Sequence, residues 1–342
     1  MRAVLFEKHG GPEVLKYGDA PDPKITATHV LVRVRACALN HLDLWVRRGL
    51  PGIPIPLPHI PGSDISGEVT AVGELCKRVR VGDKVLLAPG VTCQQCKECL
   101  NGDDHLCRHY TNFGYMIDGG CAEFVASPEV NCIPIPGDLT FEEAAAVPLV
   151  FLTAWHMLVG RAAVQPGEDV LVLGAGSGVG SAGIQIAKFL GARVIATAGD
   201  EAKLAKAREL GADEVINHYK QDLAAEIRRL TAKRGVDVAF EHVGSATWDA
   251  SFMSLAKNGR LVTCGATTGY DVKVDIRYLF SKHLSLLGSY MGRKSELLTV
   301  VKLLGQRRFR AVIDRVMPLA ECARAHELLE GREQFGKIVL KP

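Results

Sequence analysis

Cys93, Cys96, Cys99 and Cys107 lie within a stretch of fifteen residues. Thiolates separated by two-residue gaps let a turning loop aim successive sulfurs at one centre, and four of them satisfy a tetrahedral zinc ion completely. A closed shell leaves no position for water or substrate, so a zinc held here serves structure and not chemistry. The spacing by itself also suits an iron–sulfur cluster or a set of redox-active disulfides. His105 and His109 flank Cys107, but four sulfurs already suffice, and both histidines read as surface residues. The other six cysteines, Cys37, Cys76, Cys121, Cys132, Cys264 and Cys322, are scattered; they read as small buried apolar side chains.

A second run with chemical meaning is Gly174-Ala175-Gly176-Ser177-Gly178-Val179-Gly180. It follows the apolar Val170–Leu173 and opens the helical pattern of Val179–Leu190. Glycines at a strand-to-helix junction let the backbone approach a pyrophosphate, and the helix N-terminus offers free N–H groups and a favourable dipole. Gly174, Gly176, Gly178, Val179 and Gly180 are therefore expected to bind a dinucleotide, although the loop holds one residue more than a plain G-x-G-x-x-G. The next strand ends Ala196-Thr197-Ala198-Gly199. NAD-selective folds place there the acid that bonds the ribose 2′-hydroxyl, and here the tip has none. Asp200, beside Glu201, fits the following helix cap better. With no acid to repel a 2′-phosphate, and with Lys203 and Tyr219 near by, NADP(H) is favoured and NAD(H) stays open. Lys203 reads equally well as an ordinary solvated helix residue.

These residues need elements to position them. Residues 1 to about 135 carry short runs at Ala3–Phe6, His29–Ala36, Ile65–Val72 and Lys84–Leu87, separated by Gly, Pro and Asp clusters. That rhythm suggests a small antiparallel barrel or sandwich. Thr140-Phe141-Glu142-Glu143 starts a helix with a threonine cap and an acid placed for the dipole. From Asp169 the pattern is strand, turn, helix, repeated. Strands are expected at Val170–Leu173, Arg193–Ala198, Glu214–Asn217, Val236–Phe240, Arg260–Cys264 and Leu284–Leu287, with a further helix at Glu201–Leu210. Apolar runs without alternation indicate a parallel sheet covered on both faces, and six strands match a doubly wound dinucleotide fold. Helices at Glu296–Leu304 and Leu319–Leu329 lead to Gly336–Leu340, which reads as a strand returning to the first domain.

At 342 residues, two domains are expected, and 47% hydrophobic with 23% charged residues is an ordinary globular balance. A net charge of +3 from 41 basic and 38 acidic residues is no nucleic-acid footprint. No apolar run approaches the ~20 residues of a membrane span, and the opening MRAVLFEKHGG reads as a strand, not as an export signal. A cytoplasmic location is expected. No nucleic-acid or membrane partner is expected.

Taken together, these motifs resemble the medium-chain dehydrogenase/reductase superfamily, which includes zinc alcohol dehydrogenases and quinone reductases. The resemblance covers essentially the whole chain: the early barrel, the four-cysteine lobe, the turn Pro166-Gly167-Glu168, the glycine loop and the closing Gly336-Lys337-Ile338-Val339. It implies an α/β protein with a GroES-like β-barrel catalytic domain at 1–150 and 292–342, including a zinc lobe at about 90–110. A Rossmann doubly wound domain would occupy 151–291, with the substrate cleft between the two. It favours zinc over iron in the lobe, one structural ion per chain. It also implies a homodimer or homotetramer built by pairing edge strands around Leu284–Gly288.

Zinc alcohol dehydrogenases hold a second, catalytic zinc through a Cys-x-x-Asp turn, a Gly-His-Glu turn and a later cysteine or acid. Here the first turn reads Asn40-His41-Leu42-Asp43, the second reads Gly62-Ser63-Asp64, and no cysteine occurs between Cys132 and Cys264. Asparagine and serine are poor zinc ligands. The sequence is in this respect similar to the zinc-free quinone and enone reductases, which bind NADPH, yet it keeps the four-cysteine lobe. Without a Lewis acid, hydride delivery to an activated C=C bond or a quinone is easier than alcohol oxidation. Asn40 is expected to donate to the developing enolate of an enone, quinone or carbonyl substrate, with Asp43 holding the turn, Ser63 beside it, and water or a side chain supplying the proton. Thr153 and Thr197 would contact the cofactor or simply pack. Two alternatives stay open. One is an alcohol dehydrogenase with an atypical metal site drawn from Cys37, His41, His59 and Asp64; the other is a non-catalytic NADPH-binding protein.

Overall fold

Alternation along His29–Ala38 buries Val30, Val32, Val34 and Ala36 on one face and exposes Arg33 and Arg35 on the other, as a half-covered strand should. The computed structural model describes residues Met1–Pro342. It divides into one unit made of Met1–Leu149 with Arg293–Pro342 and another made of Val150–Gly292. In the first unit, His29–Ala38 is the spine of a seven-stranded sheet. It pairs antiparallel with Asp64–Val72, with Phe124–Pro128 and with the closing strand Lys337–Lys341. Lys84–Leu87 and Cys132–Pro134 extend one side, and Ile313–Pro318 pairs parallel with the closing strand on the other. The core between these strands is drawn from Phe6, Val32, Ile65, Val69, Val85 and Phe113 among others.

The second unit is a six-stranded parallel sheet in the order Glu214–Asn217, Arg193–Ala198, Asp169–Val172, Val236–Glu241, Leu255–Thr263, Ser285–Gly288. In chain order this is 3-2-1-4-5-6, the doubly wound arrangement whose strand order reverses between the first and fourth strands. All four residues of Asp169–Val172 are buried, since helices cover both faces. Ser285–Gly288 is an edge strand with half-buried Leu286 and Leu287. No helix is long and apolar enough to cross a membrane.

Most differences from the sequence reading are small shifts at element ends. The strand expected to begin at Arg260 begins at Leu255; Asn258, at φ +63°, and Gly259 mimic a turn where the ladder only shifts register. The helix at Leu319–Leu329 opens instead with a 3-10 turn, Leu319–Glu321, before Cys322–Glu330. The threonine cap is in place: Glu143 N–H donates to Thr140 Oγ1 at 3.2 Å, and Thr140 N–H donates to the Glu143 carboxylate at 2.9 Å. Helices Pro148–Trp155, Leu223–Leu230, Ser245–Met253 and Ile276–Ser281 were not among the elements expected, and neither was His41–Arg48. It starts at Asn40, whose backbone N–H donates to Asp43 Oδ2 at 2.7 Å.

Candidate functional site

The four-cysteine lobe hangs on a loop and one short helix, Lys97–Leu100. Gln94, at φ +61°, turns the chain between the first two cysteines. Sγ–Sγ separations are 3.5 Å for Cys96–Cys99, 3.5 Å for Cys93–Cys107 and 4.0 Å for Cys93–Cys99, and all four sulfurs lie within 4.8 Å of one another. Backbone N–H groups of Cys93 and His109 donate to Cys107 Sγ at 3.5 and 3.4 Å. The backbone N–H of Gln95 is the largest influence on the Cys93 thiol, which is drawn down to about 6. This donor set fits a closed tetrahedral metal shell. The lobe is tied to the start of helix Lys294–Gly305, where Arg293 pairs with Asp103 at 2.7 Å and Lys294 N–H donates to Asp104 at 3.1 Å.

The two turns that would carry a catalytic metal meet in the same unit, around buried polar groups. Asp43 is fully buried and joins them: its Oδ2 accepts from Asn40 N–H and its Oδ1 from Gly62 N–H at 2.9 Å. Desolvation raises the Asp43 carboxyl above its ordinary range, against the pull of His326, the two amides and Lys337. Asp64 Oδ1 accepts from Leu149 N–H at 2.7 Å, while its Oδ2 accepts from Asn40 Nδ2 and from Lys337 Nζ, both at 2.9 Å. Lys337 also donates to Asn40 Oδ1. The Asn40 amide is thus spoken for. Its oxygen faces an ammonium and its NH2 group faces Asp64 and the Ala38 carbonyl at 3.4 Å. A substrate enolate expected to accept from Asn40 would compete with Asp64 and the more distant Ala38 carbonyl for its amide hydrogens. Ser63, the other residue expected here, has a buried hydroxyl with no partner in the protein. Lys337 was missed. Its only sequence signal was a lysine at the head of the apolar run Ile338–Leu340, and a buried lysine demands an acceptor.

An amide oxygen, a hydroxyl and a carboxylate already paired with an ammonium do not make a zinc shell, so the residues present do not fit a catalytic zinc. The alternative grouping of Cys37, His41, His59 and Asp64 does not gather either. Cys37 lies in a strand with its Sγ 3.9 Å from that of Cys121, His41 starts a helix and stacks edge-on against Trp45, and His59 packs edge-on against Phe6.

In the second unit the glycine loop has the geometry of an anion cradle. Gly174 sits at φ +56°, where a side chain would be strained. A Cβ on Gly180 would collide with the Gly174 carbonyl. Ser177 caps helix Gly178–Phe189, its Oγ accepting from Gly180 N–H at 2.8 Å. The N–H groups of Gly178 and Val179 open that helix and point away from any intrahelical acceptor. Thr197 holds the loop from beneath. Its Oγ1 accepts from Gly174 N–H at 3.2 Å and its carbonyl from Ala175 N–H at 2.8 Å. His242 supports the same junction, bonded through Nε2 to the Leu173 carbonyl at 2.8 Å, with burial lowering its pKa.

After Arg193–Ala198, the half-exposed Asp200 caps helix Glu201–Glu209, its Oδ1 accepting from Lys203 N–H at 2.8 Å. Lys203 Nζ lies 3.8 Å from Asp200, and the Tyr219 ring covers Gly199, where a Cβ would approach it to 2.5 Å. His218, not anticipated, sits beside Tyr219 with ring centroids 4.5 Å apart and its Nε2 3.4 Å from the same point on Gly199. Thr153 is buried, with its hydroxyl 3.9 Å from Met291 Sδ.

A doubly wound sheet with a glycine cradle, joined in one chain to an antiparallel sheet bearing a four-thiol lobe, defines a nucleotide-dependent oxidoreductase. Family models agree: residues 26–137 match the alcohol dehydrogenase GroES-like domain and residues 178–306 match the zinc-binding dehydrogenase domain. The chain belongs to the medium-chain dehydrogenase/reductase superfamily, a family of oxidoreductases. It is 33% identical to crotonyl-CoA carboxylase/reductase of Cereibacter sphaeroides, over 95% of this chain and 83% of that one. It is 29% identical to human quinone oxidoreductase, over 99% and 97%. Among solved structures, an NAD-dependent alcohol dehydrogenase superposes with a TM-score of 0.97 at 46% identity, covering all of both chains.

Proposed function

We propose that this protein is an NADP(H)-dependent reductase of enones or quinones that works without a catalytic zinc and keeps one structural zinc on Cys93, Cys96, Cys99 and Cys107. The observation that carries the reading is the Asn40–Lys337–Asp64 network, which fills the metal-ligand turns with groups that bond to each other and leaves no thiolate or imidazole among them. Relatives named crotonyl-CoA carboxylase/reductase and quinone oxidoreductase support it, since each name denotes a conjugated acceptor. The bare tip at Ala198, with Asp200 committed to its cap, supports the phosphorylated cofactor.

When bound, the reduced cofactor supplies the hydride. The chain's own residues do the rest. The cradle Gly174–Gly180, held by Thr197, binds the diphosphate, and Lys203 and Tyr219 receive the 2′-phosphate. As hydride reaches the β-carbon, the electron pair of the C=C bond moves toward the carbonyl oxygen. The Ser63 hydroxyl, an orphaned buried donor, takes the place first expected of Asn40 and donates to that oxygen. An unsatisfied buried hydroxyl is costly, and a ligand oxygen would satisfy it. Water returns the proton. Asp43 holds the two turns together, and the lobe zinc stabilises its loop. Edge strand Ser285–Gly288 would pair with a second copy to form the dimer, or the dimers of a tetramer.

Two measurements decide between this reading and an alcohol dehydrogenase, the activity named for several relatives. One compares NADPH oxidation by enones and quinones with NADP⁺ reduction by alcohols; the other is zinc content. One zinc per chain with rapid enone or quinone reduction is expected. Robust alcohol oxidation that is abolished by chelation and restored by zinc would overturn the proposal.

A further inference from the structure

Lysine is among the side chains least often buried, because the ammonium gives up its water. Lys337 is 3% exposed, and its Nζ reaches Asp64 Oδ2 and Asn40 Oδ1. These contacts join the closing strand to a helix start 297 residues away in sequence. They decide which way the Asn40 amide faces. Opposite an ammonium only the amide oxygen is tolerated, so the NH2 end must turn toward Asp64 and the Ala38 carbonyl. Asp64 has its ion pair with this one lysine. It also adjoins Ser63 in the chain. Hydride addition to a conjugated acceptor builds negative charge on the substrate oxygen, and an unneutralised buried carboxylate beside Ser63 would oppose that charge strongly in a low-dielectric site.

We propose that Lys337 is a positioning residue of the reduction site: it neutralises Asp64 and locks the Asn40 amide, so that the Ser63 hydroxyl meets the developing oxyanion with no competing negative charge. The proposal rests on the reductase reading given above. Lys337 acts through Asp64 and Asn40, the two side chains its ammonium reaches. Because its partner is a carboxylate, its role is conditional. Removing the lysine alone leaves a buried anion, whereas removing both charges leaves a neutral site.

The test uses the full-length protein and four variants, Lys337→Met, Lys337→Arg, Asp64→Asn and the double variant Lys337→Met with Asp64→Asn. With whichever enone or quinone the wild type reduces, Lys337→Met is expected to lower kcat on the order of 100-fold, the range found for lost electrostatic stabilisation. The KM for NADPH should stay within about 3-fold, because the residues proposed to hold the cofactor are untouched. Lys337→Arg and the double variant should each recover at least about 10-fold of that loss, as non-additive partners do. The second readout does not depend on turnover. With asparagine selectively labelled with ¹⁵N, the Asn40 side-chain amide should give a protected, slowly exchanging signal in the wild type and in Lys337→Arg. In Lys337→Met that protection should be lost. If Lys337→Met does not fold, the arginine and double variants carry both readouts. A kcat within about 2-fold of wild type in Lys337→Met, a double variant no faster than Lys337→Met, or an Asn40 amide still protected in Lys337→Met would overturn the proposal. A wild type inactive on every enone and quinone, with the Asn40 amide behaving as expected, would overturn the reductase reading and leave Lys337 as the lock on that amide.

Discussion

Replacing Thr197 with valine removes one oxygen and keeps the shape of the side chain. Thr197 is 1% exposed, and that oxygen accepts from Gly174 N–H at 3.2 Å. Valine leaves the amide facing a methyl group, which costs about 1–3 kcal/mol for an unpaired buried donor. The second tie, Ala175 N–H to the Thr197 carbonyl at 2.8 Å, is backbone and survives. Gly174 therefore loosens while the rest of the loop stays in place. If about half of the cost falls on the bound geometry of the loop, the Kd for NADPH should rise roughly 3- to 10-fold. Thr197→Ser is the control. It keeps the oxygen and deletes a methyl, for about 0.5–1.5 kcal/mol of stability, and it should bind the cofactor as the wild type does. Urea unfolding followed by circular dichroism gives the stability change, and NADPH fluorescence titration gives the Kd. A valine variant that binds the cofactor as tightly as wild type, with a serine variant that binds it more weakly, would show that Thr197 only packs and would refute the reasoning.

Cys96→Ser should lower the zinc content below one per chain and bring thermal unfolding forward, while turnover per folded molecule holds; a variant of full stability that has lost turnover would contradict a structural role. Gly180→Ala, whose Cβ would meet the Gly174 carbonyl, should weaken NADPH binding at least tenfold, about 1.4 kcal/mol, and leave zinc content unchanged. Burial lowers the pKa of His59 below its ordinary 6.5. The unfolded chain then binds a proton that the folded chain refuses, so stability should fall as pH drops below about 6.5 and level off above it. Melting temperatures across about pH 5–8 should show that acid limb in the wild type and a shallower one in His59→Gln; an unchanged limb would assign the loss to other groups.

The elements most legible in the sequence were those whose signal is local. Arg193–Ala198 is a parallel strand buried from Val194 to Ala198, so a nearly continuous apolar run marked it, and the short Val215-Ile216 pair marked the edge strand Glu214–Asn217. Asp200 was legible as a cap because capping is decided within four residues. Four cysteines at short spacing needed no tertiary knowledge to be grouped. Helix His41–Arg48 was hidden, since its start depends on Asp43, which also serves the distant Gly62. The contacts around Asn40 were hidden for the same reason. Its type and its turn were visible, but the partners that use up its amide lie 24 and 297 residues away. A one-dimensional pattern does not show which buried charge will find which.

The closing strand has a consequence for the order in which the molecule is made. Lys337–Lys341 pairs with His29–Ala38, so the first unit encloses the whole second unit between its parts in the chain. During synthesis Asp64 and Asn40 emerge long before their counter-charge, which follows 273 and 297 residues later. Until then the carboxylate has no ammonium, and the spine strand lacks one of its neighbours. Pairings this distant in sequence slow folding, while the second unit is one continuous stretch of chain and can fold as a body during that wait. The Val150–Gly292 unit is therefore complete in the chain before the turns around Asn40 and Asp64 gain their lysine, and a nascent chain stalled short of Lys337 would carry the glycine loop without the completed turn.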